Sequence, residues 1–347
     1  MPGDSSPREE LAKLSARPVS KGHSPCPRFL PTPAYRVDTL LQTLKDGLTI
    51  GSLYALIALG YTMVYGILKF INFAHSDIVV LGGWLSLITA TAIVEKLGLT
   101  PGQIPPWWVG PLVLLIAMVA CGIIGFTIER LAYKPLRRAP RLNVLITAIG
   151  VSLFLQNTGQ LQFVFGTRPR AIPQLLSDQT LLQIGNVHIR LLDLVVIGTA
   201  VVLMVGLEWL VFHTKLGRAM RAVSFDVRTA GLMGIPVDRV ISITFVIGSS
   251  LAAAGGFLWA LSFTSIKQPA DTSWVLLGLK AFVAAVVGGI GNVRGAMFGG
   301  LAIGMLEVFG QQYINPALKD VYVFAALIIV LLVKPGGILG KATVEKV

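Results

Sequence analysis

The sequence predicts an all-α integral-membrane protein, a polytopic helical bundle of about eight to nine transmembrane helices. Three observations carry that reading. Only 13% of the 347 residues are charged, against 54% hydrophobic. An ordinary soluble domain uses about 25% charged residues to cover its surface. Mean hydropathy is +0.74. Most directly, apolar runs recur along the chain at 47–68, 78–95, 109–129, 142–163, 191–212, 240–263, 274–290, 295–312 and 321–333. A helix needs roughly 20 apolar residues to cross about 30 Å of hydrocarbon. The last run is short and borrows from its flanks.

These runs are apolar on all sides and studded with Gly, Ala and Ser, as in Gly248–Gly256. Small residues let helix backbones approach closely where lipid removes any hydrophobic drive between helices. The formal charge of +12 does not point to nucleic acid, because Lys and Arg lie between apolar runs and not on one basic stripe with stacking aromatics. Basic loops on one side of a membrane explain it. Cys26 and Cys121 form no disulfide framework, and His23, His75, His188 and His213 are too scattered for a zinc site. No metal or cofactor is expected.

Residues 1–39 stand apart. Residues 1–36 are rich in Pro, Ser and charge, too polar to fold by burying apolar surface, and lack the apolar core of a signal peptide. A disordered tail and a mis-assigned start, with translation beginning near Val37, are the two readings. The membrane-spanning domain is then 40–347.

Orientation follows from Lys and Arg in the short loops. One alternate set holds 13: Arg130, Lys134, Arg137, Arg138 and Arg141; Lys215, Arg218, Arg221, Arg228 and Arg239; Lys334, Lys341 and Lys346. The other holds 6: Lys96, Arg168, Arg170, Arg190, Lys267 and Lys319. The richer set is expected to be cytoplasmic, together with the C-terminus. The loop 164–190 is then external, with a small hairpin around Gln183–Ile189. The N-terminus falls outside, where six basic residues of the tail resist translocation. Either the tail is not translated or the first segment is no simple span.

Two places break the helical pattern. Residues 66–77 place Asn72, His75 and Asp77 between two apolar runs, and residues 288–295 place Gly288, Gly289, Gly291 and Asn292 between two more. Paired Gly-interrupted segments point to a translocation path, since irregular backbone at membrane depth needs protein or water to satisfy it. The alternative is a pair of tight cytoplasmic turns. Lys280 lies inside an apolar run. It either faces the bundle interior, with Glu307 as counter-ion, or snorkels to the interface. Glu129 and Glu208 fall near span ends and are expected at the interface.

The connection 213–239 is long and patterned. Ala219, Ala222, Val223, Ala230, Leu232 and Met233 recur at roughly helical spacing beside Arg218, Arg221 and Arg228, and Gly234 with Pro236 supplies a stop. A short amphipathic helix docking into a groove on a cytoplasmic partner fits that pattern. Catalytic motifs are missing. Gly336–Ala342 is the nearest approach to a phosphate loop, but Pro335 stands where a Gly is needed and no Ser or Thr follows Lys341. No enzymatic activity is expected.

From about Leu40 onward the sequence resembles the LivH-type permease of bacterial branched-chain amino acid ABC transporters. The resemblance rests on GLTIGSLYALIALGYTMVYGILKFINFAHSD, FTIERLAYKPLR, GRAMRAV with LMGIPVDRVISITFVIGSSLAAAGG, GLKAFVAAVVGGIGNVRGAM and the ending KPGGILGKATVEKV. It implies a multi-pass subunit of the bacterial inner membrane, one pore-forming half beside a second, LivM-type permease. Two ATP-binding subunits would drive it, and a periplasmic or surface-anchored binding protein would deliver the amino acid. It also implies that Arg218, Arg221, Ala222, Asp226, Ala230 and Gly234 belong to the coupling region for the ATPases. Related permeases carry urea, short amides or other amino acids. A stand-alone channel or secondary carrier is the other alternative. One departure is Ser76, where the family usually has Gly, which puts the geometry of the first break in question.

Overall fold

Apolar composition on all faces turns every predicted run into a helix. In the computed structural model, residues 33–340 are described, apart from Pro101, Arg138, Gly185, Asn186 and Thr264. The tail before residue 33, Arg138, Lys341 and Lys346 therefore lie outside the described residues. The helices are α1 (Pro33–Leu68), α2 (His75–Lys96), α3 (Val109–Ile128), α4 (Arg141–Gln160), α5 (Leu191–His213), α6 (Lys215–Phe225), α7 (Val227–Leu232), α8 (Val237–Ser262), α9 (Thr272–Gly288), α10 (Val293–Tyr313) and α11 (Lys319–Val333). Among the described residues, eight helices are long and apolar enough to span a membrane, and α9 is a shorter apolar helix. Residues Asp38–Val347 form one compact unit, described below, and Met1–Val37 form the other.

Helix α1 starts well before the predicted run at 47. Its extra turns are polar enough to escape a hydropathy reading, yet they are pinned. Lys45 Nζ meets Asp193 Oδ2 at 2.7 Å, and the Gln42 side chain accepts from the His188 backbone N–H. The anchors are the first turn of α5, which carries Asp193, and the expected hairpin before it, β2 (Thr180–Ile184) antiparallel to β3 (Val187–Arg190). A second small pairing, β1 (Arg170–Ala171) with β4 (Ser265–Ile266), ties the two long loops of that face together.

The core lies where α8 meets α2 and α3 and where α10 meets α1, and small residues set both contacts. A Cβ on Gly82 would collide with the Ala253 backbone, one on Gly300 with Ala55, and one on Gly256 with the Val79 carbonyl. Backbones this close leave no space for a side chain, which is how helices gain dispersion energy inside lipid. Gly82→Val is therefore expected to lower stability by about 1–3 kcal/mol or more, the usual cost of overpacking a tight core. A thermal-unfolding midpoint in detergent checks it, and an unchanged midpoint would mean that the helices slide apart without cost.

Helix α3 does not end cleanly. It runs into a π-helical turn, Glu129–Tyr133, and a 3₁₀ turn, Lys134–Leu136. Pro135 lacks the N–H an α-helix would use there, and the widened turn rotates Glu129 inward. Expected at the interface, Glu129 is instead 0% exposed. It accepts from Ser242 Oγ at 2.6 Å and pairs with Arg137. Glu208 is partly exposed and takes Arg294 Nε at 2.7 Å. Arg137→Ala would strand the Glu129 charge, with an expected loss of about 3–5 kcal/mol. Partial recovery in Arg137→Ala/Glu129→Gln is the matching result; equal instability in both variants would assign the loss to packing.

Candidate functional site

The two helix breaks, far apart in sequence, meet at one end of the bundle. At the first, α1 closes on Lys69, a non-glycine residue at φ +55°, and α2 restarts at His75. At the second, Gly289 and Gly291 take φ +111° and +92°, a region only glycine enters without strain. Gly66 and Gly291 sit close enough that a Cβ on Gly66 would lie 3.8 Å from the Gly291 Cα. The segment after α11 closes over the second break: the Ile338 and Leu339 N–H groups donate to Val287 and Gly288 carbonyls at 2.8 and 3.1 Å. Asn292 Nδ2 donates to the Leu339 carbonyl at 2.9 Å. A Cβ on Gly288 would strike the Gly295 carbonyl. The second break is thus a tight turn whose backbone groups are met by protein.

Asn72, His75 and Asp77 do not converge on one point. Each faces a different helix. Asn72 Oδ1 accepts from Tyr133 Oη in the π-turn at 2.6 Å. The His75 ring stands edge-on to Tyr61 of α1, centroids 4.5 Å apart, against Gly60, where any side chain would collide with the imidazole. Asp77 Oδ1 accepts from Gln156 Nε2 of α4 at 2.8 Å. All three side chains are buried. Together they fasten the start of α2 to three neighbours. Ser76 is accommodated because it lies in ordinary helical conformation, its hydroxyl donating to the Phe73 carbonyl at 3.0 Å. The small residue its side chain needs is supplied opposite, at Gly278.

The charged residues of α9 and α10 do converge. Lys280 is 5% exposed, and its Nζ lies 2.7 Å from Glu307 Oε1 and 2.6 Å from Asp320 Oδ1. The other Glu307 oxygen accepts from Tyr54 Oη at 2.7 Å. Lys280 therefore faces the interior and does not snorkel. A charge this deep is tolerated only when paired and hydrogen-bonded. Tyr54 and Asp320 were not singled out by sequence. Asp320 sits beside Lys319 at the start of an apolar run, where an interfacial role would have explained it.

The connection after α5 is helical, but in two pieces. Thr214 caps α6 by accepting from the Gly217 N–H, and Asp226 caps α7 by accepting from the Arg228 N–H. The Thr229 hydroxyl and the Arg228 N–H hold the Asp226 carboxyl below its ordinary range. Gly217, Met220 and Val223 bury one face of α6, and Ser224 Oγ donates to the Gly66 carbonyl at 2.6 Å. Arg221 hydrogen-bonds the Val211 carbonyl and, with Arg294, covers the Phe212 ring. Arg218 is exposed, Ala222 half-buried and Ala230 buried. The chain then turns at Gly234, φ +79°. Beside exposed polar residues, three large apolar side chains stand outside: Phe225 is 95% exposed, Leu232 83% and Met233 78%. Among the described residues, no group of three His, Cys, Asp or Glu side chains is placed to hold a metal ion.

The family model for the permease component of the branched-chain amino acid transport system matches residues 43–331. The chain belongs to this family. It is 41% identical over 314 residues to the high-affinity branched-chain amino acid transport system permease protein BraD of Pseudomonas aeruginosa, covering 88% of this chain and 98% of that one. It is likewise 41% identical over 310 residues to LivH of Escherichia coli K12, covering 88% and 97%. A probable branched-chain amino acid transport permease, LivH of Methanocaldococcus jannaschii, is 27% identical over 312 residues, covering 86% and 91%. No solved structure matches. The chain is thus a multi-pass membrane permease. The breaks, the charge cluster and the α6–α7 segment all lie within the residues that the family model covers.

Proposed function

We propose that this permease lines half of the translocation path of an ATP-driven importer of branched-chain amino acids. A second permease subunit supplies the other half. Two ATP-binding subunits drive the complex, one of them seated on the α6–α7 face of this chain, and a binding protein delivers substrate at the opposite face. The observation that carries the energy-coupling part is the exposed apolar set Phe225, Leu232 and Met233, on a segment hydrogen-bonded directly to the break at Gly66. A cytoplasmic partner covering those side chains would exclude them from water and transmit its movement to both breaks, since Gly66 touches Gly291. The Lys and Arg count favours the same face as cytoplasmic, and with it the C-terminus.

The substrate part rests on the BraD and LivH relatives. Discrimination among aliphatic side chains within the path would be slight, about 1–3 kcal/mol per methylene even in a fitted pocket, so the binding protein selects. Calorimetric titration of the cognate binding protein with leucine, isoleucine, valine, urea and short amides tests the assignment. Binding of the three amino acids alone is expected; preferential binding of urea or an amide would replace the substrate while leaving the architecture standing.

A further inference from the structure

At the end of the bundle away from the breaks, the Lys280 cluster forms the floor of a cleft of about 270 Å³. Its charged groups are Lys280, Glu307, Asp320 and, at the rim, Lys319; Tyr54, Ser273 and Gln311 add neutral polar groups, and its walls include Ile50, Trp259, Leu276 and Val308. Two features ask for a ligand. Lys280 is contested by two carboxylates, of which Glu307 is also held by Tyr54, while the partly exposed Asp320 lies at 2.6 Å from Lys280 without hydrogen-bond alignment. One carboxylate is thus in excess at the floor, and one further ammonium group, Lys319, stands on the neighbouring residue at the mouth. Opposite charges a few ångströms apart beside aliphatic and aromatic walls complement a small zwitterion with an apolar side chain. The volume suits a molecule below drug size, whose pockets begin near 300 Å³.

We infer that this cleft is a binding site for the zwitterionic head of a small apolar amino acid, Asp320 taking the ammonium group and Lys280 with Lys319 taking the carboxylate. The side chain lies against Trp259 and Leu276. This deepens the transport reading and rests on it for the choice of amino acid. Binding exchanges one ion pair for two and leaves the cleft's net charge unaltered, so the ligand is not held by a buried uncompensated charge. Occupation draws Asp320 from Lys280 and so frees the start of α11 from α9.

The test uses the full complex in proteoliposomes, with Cys26→Ser and Cys121→Ser as background and Gln311→Cys as reporter at the rim. The readout is the rate of maleimide labelling of this chain. L-Leucine is expected to slow labelling. Leucinamide, which lacks the carboxylate, and 4-methylpentanoate, which lacks the ammonium group, are not. Asp320→Asn should weaken the protection roughly tenfold or more, the scale of one charge-assisted contact, and Asp320→Glu should restore part of it. Equal protection by 4-methylpentanoate, or protection unaffected by Asp320→Asn, would overturn the assignment. So would absence of leucine protection, whether or not uptake is seen. Leucine uptake measured on the same vesicles decides the transport reading separately.

Discussion

Lys280→Met is expected to lower the stability of the assembled permease by about 3–5 kcal/mol, the cost of leaving a buried charge without its partner. The reason is specific to Glu307. It is 6% exposed and deep in the bundle, with Tyr54 as its remaining donor. Asp320, the second carboxylate on Lys280, is 36% exposed as a side chain and can rehydrate where it stands. The loss should therefore follow Glu307 and not Asp320. Lys280→Met/Glu307→Gln is expected to regain most of it, because a neutral pair of similar volume no longer needs compensation, whereas Lys280→Met/Asp320→Asn is not. Melting of the purified complex in detergent checks the order. If the two double variants melt together, the charge on Glu307 is not what Lys280 stabilises.

Phe225→Asp is expected to act in the opposite manner, sparing the subunit and disabling the machine. At 95% exposure its side chain contributes little within the chain, and surface changes usually stay within about 0.5 kcal/mol. Against a partner, an aromatic anchor carries about 2 kcal/mol or more, a loss of roughly thirtyfold in docking. Membrane insertion and melting should be unchanged while ATP-driven uptake falls and hydrolysis persists without transport. Arg218→Ala should do the same more weakly. Deleting 225–230 should do it fully, since it removes both Phe225 and the Asp226 cap of α7. Normal uptake in Phe225→Asp would move the docking site elsewhere on that face.

Much of the fold was legible because lipid reduces the code to apolar length, and all nine apolar runs became helices. The hairpin and the α6–α7 segment were legible for a related reason: glycine, proline and periodicity mark local structure wherever the chain leaves the apolar pattern. What the linear pattern hides is direction and partnership. Glu129 reads as interfacial by position, and only the π-turn before Pro135 turns it inward. Asn72, His75 and Asp77 are neighbours in one break of the sequence, yet helical geometry points each at a different neighbour. For Lys280 the sequence leaves two readings, pairing with Glu307 or snorkelling, and the structure shows the ion pair; Tyr54 arrives from more than 200 residues away and carries no distinguishing pattern. Ser76 shows the converse, a departure whose side chain finds its space opposite Gly278.

Under the proposed function, this permease moves amino acid only when energy enters from partners seated on α6 and α7. Uptake of labelled leucine into proteoliposomes tests it most directly, comparing the complete complex with this chain alone, each with and without ATP and with binding protein present. Uptake by the complete complex with ATP, and in no other condition, is the predicted result. Saturable leucine uptake by this chain alone without ATP would instead make it a self-sufficient carrier or channel.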